Sequence, residues 1–88
     1  MKTFTNLDFE IFSDGLKSGK KTRIEFENGW GASVVSHDYS YGGKDGLYEL
    51  AVLFENEINY DNPVAGGDVK GYLTEEDVTD LLIQIQNL

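Results

Sequence analysis

The run LYELAVLF, Leu47 to Phe54, decides how this chain folds. Leu47, Ala51 and Leu53 fall on one side of an extended strand, and Tyr48, Leu50, Val52 and Phe54 on the other; Glu49 is the one exception. Successive side chains on a strand point to opposite faces, so a strand with one wet face alternates apolar with polar. A run apolar on both faces belongs at the centre of a sheet. It is covered on both sides, or by a helix on one side and a partner on the other. The preceding SYGGKDG, Ser40 to Gly46, has the opposite character. Its three glycines cost too much backbone entropy for regular structure. It serves either as a plain connection into the central strand or as a mobile, tyrosine-bearing binding tip.

The element that covers the strand lies at the end of the sequence, LTEEDVTDLLIQIQNL, Leu73 to Leu88. Thr74 is placed as N-cap, with Glu75, Glu76 and Asp77 at the positive end of the helix. Val78, Leu81, Leu82, Ile85 and Leu88 recur at helical spacing, which predicts a helix from about 75 to 86 with one apolar stripe. Upstream, KKTRIEFENGWGASVVSHD reads as a hairpin: Thr22, Ile24 and Phe26 alternate with charges, Asn28-Gly29 turns, and Trp30, Ala32 and Val34 return. ENE (55–57) reads as a short turn and INY (58–60) as an edge strand. VKGYL (69–73) is either a short strand or an extended lead into the helix. NLDFEIF (6–12) alternates as a strand, with a short helix as the other option, and SDGLKSG (13–19) reads as a turn. The expected fold is α+β: one domain over residues 1–88, an antiparallel sheet of four to five strands, and a C-terminal amphipathic helix packed on a face.

Charge narrows the function classes. Residues 1–24 hold five bases and three acids, a net of +2, whereas residues 25–88 hold two bases and thirteen acids, a net of −11. Such a surface repels nucleic acid and anionic membranes and attracts basic surfaces; plain solubility is its simpler use. With no cysteine, neither a disulfide nor a thiolate zinc site can form. That suits a reducing compartment. No apolar run approaches a membrane span, and the N-terminus lacks the apolar core of a secretory signal.

Candidate chemistry is sparse. His37 is the only histidine. Ser36-His37-Asp38 has the letters of a triad, but neighbours on a strand point to opposite faces. Asp61 and Asp68 lack the spacing of an EF-hand loop, and GGKDG falls short of a phosphate-binding loop. No catalytic residue, metal site or cofactor is therefore expected. The clustered bases Lys17, Lys20, Lys21 and Arg23 would suit nucleic acid or, equally well, a partner's acidic patch, but the acids elsewhere outweigh them. The stronger candidate is a protein-binding surface of carboxylates and tyrosines: Glu25, Glu27, Tyr39, Tyr41, Asp45, Glu55, Glu57, Tyr60 and Asp61. Glu25 with Glu27, and Glu55 with Glu57, would set carboxylates in rows that mimic phosphates, and the tyrosines would anchor the contact.

The segments ENGWGASVVSHDYSYGGKDGLYELAVL, INYDNPV and GYLTEEDVTDLLIQI together resemble a group of small acidic proteins of tailed phages and prophages. The resemblance covers roughly residues 24–86. It implies an accessory protein of the bacterial host cytoplasm that acts by protein binding, without direct nucleic-acid contact or membrane insertion. By analogy of class, its partner is a host or phage protein with a basic surface, such as a CRISPR or restriction nuclease that it inhibits. The alternative expectation is a structural or assembly module that homodimerises through the sheet.

Overall fold

The computed structural model describes residues 1–13, 15 and 18–88. Asp14, Leu16 and Lys17, which belong to the expected SDGLKSG turn and, for Lys17, to the basic cluster, lie outside the described residues. The strands are β1 (Glu10–Ser13), β2 (Ser18–Glu25), β3 (Trp30–His37), β4 (Tyr48–Phe54), β5 (Glu57–Ile58) and β6 (Lys70–Leu73), followed by helix α1 (Glu75–Gln86). They form one antiparallel sheet in the order β1-β2-β3-β4, with β5 and β6 both pairing with β4 along its far side. LYELAVLF is therefore central, as its two apolar faces require. The sheet has six strands among the described residues rather than four to five.

Helix α1 begins and ends where its sequence places it. Thr74 Oγ1 accepts the Asp77 N–H and Asp77 Oδ2 accepts the Thr74 N–H, a reciprocal cap that satisfies two otherwise orphaned donors. Val78, Leu82 and Ile85 pack into Phe26, Ala32, Val34, Tyr48, Leu50, Val52 and Leu73. Each fully buried side chain of this kind contributes about 1.5–3 kcal/mol relative to exposure. Leu81 is only half-buried and Leu88, beyond the last turn, is exposed, so the stripe is narrower than its spacing suggests.

The two hairpin turns exchange the geometries their letters suggest. In β2–β3 only Gly29 takes positive φ, at +87°. The Phe26 N–H donates to Trp30 O and the Gly29 N–H to Phe26 O, so the tight turn is followed by a left-handed glycine. Asn28 keeps ordinary backbone geometry and uses its side chain instead. Its Nδ2 donates to Ile85 O (3.1 Å) and Gln86 O (3.3 Å), closing the carbonyl end of α1. The two-residue turn with positive φ at both positions is Glu55-Asn56, at 52° and 68°.

The N-terminal strand is shorter than its alternation implies. A 3-10 turn at Phe4–Asn6 lies along the helix, with the Phe4 N–H donating to Thr79 Oγ1 and Gln86 exchanging two bonds with the Lys2 backbone. Phe4 and Phe9 pack with Tyr48, and Lys20 Nζ sits 5.0 Å from the Phe9 ring centre and 5.1 Å from that of Tyr48. Leu7 and Phe9 thus reach the core before the strand starts at Glu10. Ile11 is 77 % exposed, because α1 lies over β3, β4 and β6 while β1 forms the sheet margin.

On the face away from the helix, Ala51 and Leu53 are buried within the single chain. Arg23 Nη1 donates to Asn56 O (3.0 Å) and Oδ1 (3.3 Å), so its side chain crosses β3 from β2 to the β4–β5 turn. The long stem covers apolar surface while its head bonds at the rim. Glu49, the polar exception in the central run, bonds through Oε1 to the Tyr41 N–H at 3.2 Å.

Candidate functional site

The bond to Glu49 leads to the part of the surface with the most unusual backbone. Strand β6 pairs with β4 at Tyr48↔Leu73 and Leu50↔Lys70. Two residues, Gly71 and Tyr72, therefore stand opposite the single Glu49, which is a β-bulge. Tyr72 takes φ +56°, a left-handed conformation that costs a non-glycine residue roughly 1–2 kcal/mol. The bulge frees the Tyr72 N–H, which donates to Tyr41 O at 3.1 Å and ties the SYGG loop to β6.

The junction is built on glycines. A Cβ on Gly71 would collide with the Tyr41 side chain, and one on Gly42 would stand 2.9 Å from Tyr72 Cα and 3.1 Å from its ring. Each tyrosine thus rests on the glycine adjoining the other. Gly42 adopts φ +91° and Gly43 opens a 3-10 turn that ends at Asp45. Tyr41 and Tyr72 are 58 % and 62 % exposed despite this close backbone contact. Tyr39, two positions before Tyr41, is 67 % exposed, its N–H bonded to His37 Nδ1. The glycine loop closes the β3–β4 connection through several bonds and leaves Tyr39 and Tyr41 exposed.

The letters of a triad make other bonds around the end of β3. Ser36 Oγ donates to Leu47 O, Ser40 Oγ accepts the His37 N–H, and Asp38 Oδ2 accepts the Ser18 N–H. His37 packs edge-on to Phe12, ring centres 5.8 Å apart. Among the described residues no three His, Asp or Glu side chains converge as a metal group, and no helix is long and apolar enough to cross a membrane.

The nine expected contact residues do not share one surface. Tyr39, Tyr41 and Asp45 lie in the β3–β4 connection. Glu25, Glu27, Glu55 and Glu57 gather at the opposite end of the same strands, where the Glu55 N–H donates to Gly29 O and joins the two hairpin turns. The length of β3 separates these ends by roughly 23 Å. Tyr60 and Asp61 sit in the loop after β5, on the β4 flank, where Asn59 Oδ1 accepts the Asp61 N–H. A hollow of about 680 Å³ at the hairpin end is lined by Glu25, Glu27, Asn28, Lys2 and Gln86 among others. Several of its polar groups are already spent on bonds within the chain, such as Asn28 to the helix end and Gln86 to Lys2.

Tyr72 is the member that the sequence pattern does not single out. In VKGYL it reads as an ordinary strand tyrosine. The neighbouring Gly71 was the available signal, since an isolated glycine in a strand marks a bulge or a close backbone approach. No family model, curated protein or solved structure matches this chain.

Proposed function

We propose that this chain is a non-enzymatic binding protein that docks on the basic surface of another protein through its β3–β4 end. One observation carries this reading: Tyr41 and Tyr72 are well over half exposed yet held by backbone bonds, glycine packing and a bulge. Exposed aromatic side chains already fixed in place lose little entropy on binding, and such residues anchor interfaces. Residues 38–49 and 68–77 carry seven acids against two bases, Lys44 and Lys70, so the complementary surface is basic. The resemblance to small acidic phage and prophage proteins supplies the setting: an accessory protein in the bacterial host cytoplasm. A nuclease of host defence, whose phosphate-binding groove is basic, fits as the partner class. Affinity capture from bacterial lysate tests this, with Asp45→Lys/Glu76→Lys compared against Glu55→Lys/Glu57→Lys. The first pair should abolish recovery of a discrete partner and the second should leave it; the reverse pattern would move the contact to the hairpin end.

A second reading, homodimerisation through the sheet, draws support from β1. This edge strand has one neighbour and an Ile11 that is 77 % exposed. An unpaired edge is a template for a further strand. Sedimentation at micromolar concentration separates the readings, since a strict monomer is incompatible with the dimer.

A further inference from the structure

We propose that Tyr41 and Tyr72 form a receptor for arginine side chains of the partner, an inference that rests on the protein-binding reading above. The bulge opposite Glu49 puts an aromatic residue where glycine or asparagine would be unstrained. Such strain persists at sites where function uses it. Here it turns Tyr72 onto Gly42 while Tyr41 rests on Gly71, so the two rings flank one backbone junction and remain open to solvent. A tyrosine face attracts a cation within about 6 Å of its centre. Guanidinium suits such a face better than ammonium, being planar and less strongly hydrated.

The surrounding charge selects among ligands that stack on tyrosine. Nucleic-acid bases would bring phosphates toward segments 38–49 and 68–77, whose seven acids outnumber their two bases and repel them. A neutral proline-rich segment would leave the carboxylates without a counterpart. An arginine satisfies both the rings and the acids. The chain uses the same chemistry internally, with Lys20 over Phe9 and Tyr48 and Lys21 over Phe12 at 5.2 Å.

The test is an amide-shift titration of the full ¹⁵N-labelled chain with a heptapeptide of alternating glycine and arginine, and with its lysine counterpart. Saturable shifts are expected at Gly42, Gly43, Gly71 and Tyr72, with the lysine peptide binding roughly threefold or more weakly. Tyr72→Asn, which tolerates the left-handed backbone, should weaken the arginine peptide about tenfold. Tyr41→Phe, which keeps the ring, should stay within about twofold. Unchanged spectra elsewhere in both variants verify the fold. Equal affinity for the two peptides, with no effect of Tyr72→Asn, would overturn the arginine receptor while leaving the basic-surface reading intact. Failure of both cationic peptides to bind at low salt would overturn both.

Discussion

Tyr72 pays for its position with a backbone conformation that few aromatic residues adopt. Replacing it with glycine removes that strain and only a largely exposed ring. Tyr72→Gly should therefore stabilise the fold by up to about 1 kcal/mol. In a domain of this size that is a rise in Tm of about 4–8 °C. Thermal unfolding measures it, and a fall of similar size would mean that the ring holds the SYGG loop more tightly than its exposure suggests. Gly71→Ala goes the other way. The added methyl meets the Tyr41 side chain, and the clash should cost about 1–3 kcal/mol in denaturant unfolding. Asn28→Ala should cost about 1–2 kcal/mol, because the carbonyls of Ile85 and Gln86 lose a donor at a partly buried helix end.

Among the elements, those that the sequence announces most clearly obey a local rule strong enough to stand alone. Helix α1 has its cap, its acids and its stripe in one continuous stretch, and it runs from Glu75 to Gln86. Strand β4 is apolar on both faces and sits in the middle of the sheet. Elsewhere the local signal is outvoted. NLDFEIF alternates over seven residues, yet Leu7 and Phe9 gain more by joining Phe4 and Tyr48 in the core than by extending a margin strand. Asn28-Gly29 invites a two-residue turn, but its asparagine also caps the helix from 57 residues away, a partner no local pattern reveals. The bulge in β6 depends on the loop at Tyr41 and Gly42, some thirty positions upstream, so the surface that includes Tyr72 is visible only after folding. Because the reciprocal cap is a local contact between Thr74 and Asp77, Thr74→Ala should lower stability by about 1 kcal/mol. Its effect should add to that of Gly71→Ala only in part, since the two residues are close neighbours. Full additivity in a double-mutant cycle would show β6 and the helix start to be uncoupled.

Viewed whole, the molecule is a polarised plate. One end joins the hairpin turns and carries Glu25, Glu27, Glu55 and Glu57; the other joins the glycine loop, the bulge and the helix start, with Tyr39, Tyr41, Tyr72, Asp45, Glu75 and Glu76. Acids occupy both ends, so net charge alone does not choose between them. The hairpin end shows Phe54, 37 % exposed and packed on Trp30, whereas the second end adds two tyrosines, 58 % and 62 % exposed, held at one glycine junction. Association through it should slow as ionic strength rises, because steering by exposed carboxylates is screened over about 8–10 Å. Tyrosine contacts act mainly on the dissociation rate. The most direct measurement is photo-crosslinking in bacterial cytosol, with a photoreactive amino acid at position 41 or at position 57 of the otherwise unaltered chain. A discrete, salt-sensitive adduct with a basic protein from position 41, and none from position 57, is the expected result. An adduct from position 57 with none from 41 would contradict it.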